Sequence, residues 1–172
     1  MTVHRAVPDN VLLLVPQDDP LLYRQAAEVP IDNENTLALI AVIAKRMLAT
    51  CRVRGGIGLA GPQVALDYRV FVMAFAEQGG RDYVCINPQI VDTYGDLVGS
   101  RETCLTVPNN AYVVRRYPQI SASWTDQYGQ PCAATFSGLQ ARVFQHELDH
   151  LSGRTIWPRL PVEVASVPGG DA

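Results

Sequence analysis

The sequence predicts an α+β fold, with short antiparallel strands and sheets packed around a buried helix in the C-terminal half and a second helix nearer the N-terminus. Two observations predict this class. Several short runs with β-like composition, separated by turn residues, lie between two segments of helical periodicity. Strands that follow one another without intervening helices pair as hairpins, which favours antiparallel sheets over a parallel one.

Length and composition agree with a folded chain. The 172 residues are 48% apolar and 18% charged, as in ordinary globular proteins, and predict one domain over residues 1–172. The net charge of −3 offers no basic patch for direct nucleic-acid binding. No apolar run is long enough to span a membrane, and Val11–Val15 is too short for a signal-peptide core, so we expect a cytoplasmic protein.

The first elements can be placed from prolines and periodicity. Residues 5–32 contain four prolines and predict extended segments and turns. A helix is predicted from Asn33 to Arg52, because its apolar residues recur three and four apart and either Asn33 or Asn35 can cap it. A glycine-rich stretch, RGGIGLAGPQV, follows this helix.

The strands come next. The predicted runs are Tyr68–Ala76, Tyr83–Asn87, Gln89–Tyr94, residues around Ala111–Val114, a run from Pro118 through Trp124, and Pro131–Phe136. Asp126–Gly129 predicts a hairpin turn between the last two runs.

A second helix is predicted from Gly138 to a C-cap near Gly153, and residues 162–172 are expected to fray. This helix should be largely buried, because apolar residues cover much of its circumference: Leu139, Val143, Phe144, Leu148 and Leu151.

The second helix carries a pattern typical of hydrolytic metal sites. His146 and His150 are four residues apart, so both side chains leave one face of the helix and can reach one ion. Glu147 is offset by one position and can take a proton from a water on that ion. A catalytic site of this kind needs a third protein ligand.

Histidine and carboxylate candidates for the third ligand fail. Ile156 stands where a downstream histidine would follow in one known pattern, and His4 lies near a loose end. Glu163 is too close to the helix and too loosely held to serve as the downstream glutamate of another pattern.

A cysteine thiolate is the remaining ligand type. Cys51 ends a helix, Cys85 lies in an apolar run and Cys132 in a hairpin strand, so these three are expected to be structural. Spacing does not choose among the four cysteines, but Cys104 lies in a polar segment between two β-like runs, where a side chain can be presented. Context therefore favours Cys104.

At this point the chain resembles the peptide deformylases, which remove the formyl group from the N-terminal formyl-methionine of new proteins. Three segments carry the resemblance in the family's order: "GIGLAGPQ" (Gly56–Gln63), "ETCLT" (Glu102–Thr106) and "QHELDH" (Gln145–His150). The resemblance covers roughly residues 12–160.

The resemblance implies the chemistry. Cys104 becomes the third ligand beside His146 and His150, with one Fe²⁺ per chain that Zn²⁺, Ni²⁺ or Co²⁺ can replace. A water activated by the ion attacks the formyl carbon, and Glu147 serves as general base and then general acid. The implied oxyanion donors are the side-chain amide of Gln63 and the backbone N–H of Leu105.

Further residues are expected to bind substrate or support the site. Gly56 and Gly58 let the backbone approach the substrate closely. An ion pair between Glu102 and Arg116 would hold the cysteine segment. The remaining substrate-binding candidates are Ile57, Leu139 and Val143, which would form the methionine pocket, and Thr103.

The expected partners are N-formylmethionyl peptides and nascent chains, with transient proximity to the ribosome. Thr103 replaces the family's glycine beside the metal cysteine, and this departure favours an alternative: a deformylase-like protein with another N-formyl substrate or reduced activity. Two further alternatives are a module in which the ion only stabilises the fold and a metalloprotease that cuts internal peptide bonds.

Overall fold

The structure is a computed structural model and describes residues 10–158. Two α-helices, α1 (Glu34–Val53) and α2 (Gly138–Leu151), lie towards opposite ends of this range. Within the range, none of the helices has the length and hydropathy needed to cross a membrane. The predictions for His4 and for the tail at 162–172 fall outside the described residues, and the one-domain prediction for residues 1–172 stays a prediction.

Seven strands in the described range form two antiparallel sheets, which confirms the α+β prediction. The five-stranded sheet has the order β1-β2-β3-β6-β7, and β4 and β5 form a separate two-stranded hairpin. The strands are β1 (Gly58–Ala60), β2 (Val70–Met73), β3 (Tyr83–Tyr94), β4 (Val98–Cys104), β5 (Val107–Arg116), β6 (Gln119–Thr125) and β7 (Pro131–Ser137).

The five-stranded sheet is buried on both faces at β2. Because side chains alternate along a strand, Phe71 and Met73 face one core and Val70 and Val72 face the other. The first core contains Phe144 of α2, whose ring lies edge-on to Phe71 at a centroid distance of 5.0 Å. The second core contains the buried face of α1. The sheet therefore lies between the two helices, and α2 is held in place along its apolar side.

The helix boundaries follow local chemistry. Helix α1 begins where predicted, because the side chain of Asn33 accepts a hydrogen bond from the N–H of Thr36 at 3.0 Å. Helix α2 is followed by Gly153 at φ +69°, the left-handed conformation that ends many helices. The prediction that Leu139 is buried is wrong: this residue lies in the first turn of α2 and is 55% exposed.

Strand β4 was not predicted. The segment that contains Cys104 is a regular strand paired with β5, and not a polar segment between strands. Its buried side chains near the end are Glu102 and Cys104, while Arg101 and Thr103 are exposed, so the usual alternation of apolar and polar residues is missing.

The two runs predicted at Tyr83–Asn87 and Gln89–Tyr94 form one strand, β3, with an irregularity between Ile86 and Gln89. Asn87 adopts φ +50°, and its side chain exchanges two hydrogen bonds of 2.9 Å with the backbone of Val29. The Asn87 side chain thus ties β3, at its irregularity, to the segment that precedes α1.

The boundaries of the remaining elements differ less from the predicted ones. The predicted run Tyr68–Ala76 shortens to β2, and the run around Ala111–Val114 lengthens to β5. Short 3₁₀ turns occur at Pro20–Tyr23, in the segment predicted to consist of extended stretches and turns, and at Gly61–Val64. The hairpin turn at Asp126–Gly129 is confirmed, since the Asp126 carboxylate accepts from two backbone N–H groups beyond it.

Candidate metal centre and active-site pocket

Three potential ligand atoms converge at the inner end of the β4–β5 hairpin. Cys104 ends β4, and His146 and His150 extend from one face of α2. The ligand atoms of these residues all lie within 4.8 Å of one another, and the Cys104 Sγ is 3.4 Å from His150 Nε2. All three residues are buried. The structure thus brings together the three ligands expected from the sequence.

The carboxylate of Glu102 holds His146 from the far side of its ring. His146 Nδ1 lies 2.9 Å from Glu102 Oε2, and an ionised carboxylate only accepts, so Nδ1 is the donor and Nε2 is left for a metal ion. Arg116 donates to both carboxylate oxygens, at 2.7 and 2.9 Å, and Arg142 donates at 2.6 Å. The expected pairing of Glu102 and Arg116 is confirmed.

These donors keep Glu102 ionised. Burial by itself would raise its pKa, but the hydrogen bonds from His146, Arg116 and Arg142 outweigh burial and lower the pKa to about 2. Glu102 is therefore a fixed anion at neutral pH, one position away from Thr103 and two from Cys104 in sequence.

The two histidines differ in their electrostatic surroundings. Burial, with the positive charge of His146 and Arg116, lowers the pKa of His150 well below its usual value, so its ring is neutral. Burial also lowers the pKa of His146, but hydrogen bonds with Cys104 and Glu102 dominate and raise it to about 10. The environment of His146 thus favours a positive charge at this position.

A divalent cation fits this group of residues. One sulfur and two imidazole nitrogens are the donor types that zinc and other transition metals prefer, and three protein ligands leave a position open. Metal ions displace protons from their ligands, so a cation can supply the positive charge that the anions around His146 favour.

Glu147 lies directly beside the candidate ligands. It is 3% exposed, and burial raises its pKa to about 7. Its Oε2 atom has no hydrogen-bond partner among residues 10–158. A carboxyl group with a pKa near neutrality can both accept and release a proton, which suits acid–base catalysis.

The side chain of Gln63 is also in contact with Cys104. Its Oε1 accepts from the N–H of Ala60 at 2.8 Å, which fixes the orientation of the amide. Its Nε2 donates to Cys104 Sγ and to Thr106 Oγ1, both at 3.2 Å. Because Nε2 carries two hydrogens and both are engaged, one of these contacts must be exchanged before Gln63 can donate to a substrate oxygen.

A pocket of about 450 Å³ opens beside these groups. Every residue expected to bind substrate lines it, and so do Gln63, Leu105, Cys104, His146 and Glu147; the substrate-binding set is Gly56, Ile57, Gly58, Thr103, Leu139 and Val143. His150 and Arg116 do not line it and lie behind the residues that do. Leu139 faces the pocket in its exposed position, which explains why it is not buried in the core.

Sequence reasoning missed Arg142. Its guanidinium bonds Glu102 on β4, the carbonyl of Val98 at 3.0 Å and the carbonyl of Val114 at 3.2 Å, so it joins α2 to both strands of the hairpin. The sequence does hold one signal for this role: Arg142 lies four residues before His146, and so on the same face of α2 as the two histidines. A partly buried arginine on such a face needs an anionic partner.

The fold and this pocket define a class of protein. An α+β chain carries a thiol and two imidazoles that could hold a cation, next to a carboxyl group with a pKa near neutrality, and an open pocket reaches this group of residues. This is the composition of a hydrolytic metal centre.

Comparison with known proteins identifies the family. The family model described as polypeptide deformylase matches residues 11–163. A peptide deformylase of Synechocystis sp. is 42% identical over 117 residues, which span 66% of this chain and 62% of that relative. The chain belongs to the peptide deformylase family, whose members are hydrolases that remove N-formyl groups from nascent peptides.

Solved structures of peptide deformylases have a fold similar to that of this chain. The peptide deformylase of Thermus thermophilus matches with a TM-score of 0.78 and 37% identity, covering 88% of this chain and 86% of that one. A class I type b peptide deformylase from Acinetobacter baumannii, described as bound to Met-Ala-Ser, matches with a TM-score of 0.75 and 30% identity, covering 85% of this chain and 96% of that one.

Proposed function

We propose that this chain is a metal-dependent hydrolase that removes the N-formyl group from the N-terminal formyl-methionine of newly synthesised polypeptides. The observation that carries the proposal is the convergence of Cys104, His146 and His150 beside Glu147, at a pocket that Cys104, His146 and Glu147 line. Membership of the peptide deformylase family supports the same activity.

Cys104, His146 and His150 would hold one divalent ion. We propose Fe²⁺, on the strength of the family resemblance, and a thiolate with two imidazoles also suits Zn²⁺, Ni²⁺ or Co²⁺. When bound, such an ion acts as a Lewis acid towards a water molecule and the formyl oxygen. Glu102 and Arg116 support the site by fixing the ring of His146.

The protein's own groups then handle protons and charge. Glu147 takes the proton of the attacking water and returns it to the departing amine nitrogen, for which a pKa of about 7 is suited. The Gln63 amide and the backbone N–H of Leu105 donate to the oxygen that becomes negative. Each such donor typically contributes about 3–4 kcal/mol of transition-state stabilisation.

The pocket suits a methionine side chain at the end of an extended peptide. Ile57, Val143 and Leu139 supply apolar surface, and Leu139 is exposed enough to be covered by a ligand. Gly56 and Gly58 line the pocket, but the space beside them is filled by the protein itself: an added Cβ would meet the Leu105 side chain at Gly56 and the Glu147 carboxylate at Gly58. These glycines therefore make room for Leu105 and Glu147, and not for the peptide backbone as expected from the sequence. The Acinetobacter relative described with Met-Ala-Ser bound supports a peptide of this kind.

We propose a cytoplasmic enzyme with a single domain that works on nascent chains near the ribosome. Thr103 favours a second candidate, a relative with an altered N-formyl substrate or reduced activity, because its side chain is exposed and lines the pocket. One assay separates the two candidates.

The assay measures formate release from formyl-Met-Ala-Ser by protein prepared without oxygen in the presence of Fe²⁺ or Ni²⁺. If the chain is a deformylase, we expect formate release by the native protein and a loss of about 10²–10⁴-fold in Glu147→Gln, which keeps the shape of the side chain but removes the base. A folded, metal-loaded protein that releases no formate would favour the second candidate. Full activity in Glu147→Gln would refute the assigned mechanism.

A further inference from the structure

Two arginines line the pocket without forming an ion pair. Arg54 follows the last residue of α1, and Arg101 lies on β4, and both are exposed. Neither has a hydrogen bond or salt bridge to another side chain within residues 10–158. Arg142 is the third arginine of the lining, but its guanidinium is engaged by Glu102 and two backbone carbonyls.

The exposed charges of this pocket are all positive. Its two carboxylates, Glu102 and Glu147, are buried, and Glu102 is neutralised by Arg116 and Arg142. The chain as a whole carries a net charge of −3, so a positive pocket mouth is a local feature and not a consequence of overall composition. A cleft lined by charge of one sign attracts ligands of the opposite sign.

The two arginines belong to different segments of the lining of the pocket that holds the proposed reaction centre. Arg101 is three residues from Cys104 along β4, which is about 10 Å at the rise of a strand, and it shares the exposed face with Thr103. Arg54 is two residues from Gly56, on the loop that forms another wall of the same pocket. An extended peptide advances by the same distance in about three residues.

We propose that Arg54 and Arg101 select formylated chains with aspartate or glutamate within about three residues after the methionine, over chains with lysine or arginine there. This inference rests on the proposed function. An extended acidic peptide satisfies both arginines while its formyl group is at the metal centre, whereas a basic peptide adds like charge to the mouth. Nucleic acid is disfavoured as the ligand, because the arginines line a concave pocket in a chain of net negative charge.

Each arginine also has a simpler reason for its place. A cation at the C-terminal end of α1 interacts favourably with the helix dipole, and a charge on β4 discourages pairing with other chains. These roles make no demand on peptide sequence, so substrate preference separates them from the proposal.

The experiment compares kcat/KM for formyl-Met-Ala-Glu, formyl-Met-Ala-Ser and formyl-Met-Ala-Lys. We expect the glutamate peptide to exceed the lysine peptide by about fivefold at low salt, the size that two exposed ion pairs allow. The ratio should approach one at about 0.5 M salt, where such pairs are screened.

Charge-reversal variants test whether the preference between the glutamate and lysine peptides arises from Arg54 and Arg101. The double variant Arg54→Glu with Arg101→Glu should invert the ratio, whereas Lys45→Glu, a reversal at an exposed position of α1 outside the pocket, should keep it. A circular dichroism melt verifies that each variant is folded, and the salt dependence of the native protein needs no variant at all.

Equal rates on the three peptides, or a ratio that the double reversal leaves unchanged, would overturn the proposal. Equal rates together with salt-sensitive binding of a single-stranded RNA oligonucleotide, lost in the double variant, would overturn it in favour of a nucleic acid. If no peptide releases formate, the proposed function fails instead. The charge preference is then decided by calorimetric binding of Met-Ala-Glu against Met-Ala-Lys, which requires no turnover.

Discussion

Glu102 is the side chain on which the candidate metal centre is built. Its carboxylate accepts from His146, from two nitrogens of Arg116 and from Arg142, and so joins β4, β5 and α2 at one point. Leaving one member of a buried ionic network without its partner typically costs about 3–5 kcal/mol. The network therefore fixes the distance between Cys104 on the hairpin and the two histidines on the helix.

Gly58 determines where the carboxylate of Glu147 can lie. A Cβ added to Gly58 would meet Glu147 Oε1 at 2.2 Å and Val143 Cγ1 at 2.8 Å, closer than such atoms ever approach. Gly58→Ala should therefore displace Glu147 and lower kcat by about 100-fold, the usual effect of misplacing a catalytic group by about 1 Å. Formate release and metal content per chain would be measured on the same sample, and metal content should not change.

Gly99→Ala is the matched control. It lies on β4, where the added Cβ would be 3.6 Å from Val113 Cγ1, an ordinary contact, so activity should stay close to that of the native protein. Native activity in Gly58→Ala would show that Glu147 does not need its present position.

At the scale of elements, the end of α2 is held by close backbone contact. Gly153 has φ +69°, and a Cβ there would lie 2.8 Å from the backbone N and C of Arg24. A bridge between Gln25 and Ser152 and a hydrogen bond from Ala26 N–H to the Leu151 carbonyl tie the same two segments together. The position of His150, three residues earlier, depends on this contact.

Gly153→Ala should lower the free energy of unfolding by more than the strain of a left-handed alanine alone would cost. Gly79→Ala supplies the comparison, because Gly79 has φ +80° with no atom within 4 Å of an added Cβ. For Gly79→Ala we expect the free energy of unfolding to fall by about 1–3 kcal/mol, because of backbone strain. For Gly153→Ala we expect it to fall by about 1–3 kcal/mol more, because the added Cβ also overpacks the contact with Arg24. Urea unfolding of both variants measures the difference, and equal losses would show that the contact with Arg24 relaxes freely.

The strands and the first helix were predicted well from the sequence where their buried side chains are apolar. Helix α1 and the hairpin of β6 and β7 carry ordinary periodicity, and their boundaries agree with the structure to about one residue. Strand β4 could not be predicted in this way, because its buried face holds Glu102 and Cys104. Strand β3 continues through an irregularity at Asn87, whose side chain bonds the backbone of Val29, 58 residues away along the chain, and sequence periodicity cannot indicate such a contact.

At the scale of the whole molecule, the site gathers segments that are distant in sequence. Gln63 comes from the turn after β1, Cys104 from β4 and Glu147 from α2. The residue types and the four-residue spacing of the histidines were enough to predict a metal helix, and the resemblance named its third ligand. Spacing could not reveal Arg142 or the arginines of the pocket mouth, because their roles depend on which strands lie beside the helix.

The sheet between the two helices makes this convergence rigid. Phe144 of α2 packs on Phe71 of β2 and on Phe136 of β7, with ring centroids 5.0 and 5.5 Å apart. His146 and Glu147 follow Phe144 by two and three residues, so the core that fixes the helix also fixes the positions of these two side chains.

The measurement that tests the central claim most directly is formate release from formyl-Met-Ala-Ser by chelator-stripped protein before and after Fe²⁺ or Ni²⁺ is restored without oxygen. We expect release to be lost on stripping and to return in proportion to bound metal, up to one ion per chain. Cys104→Ser should bind the ion weakly and recover little. Undiminished release by metal-free protein, or by Cys104→Ser without bound metal, would contradict the account.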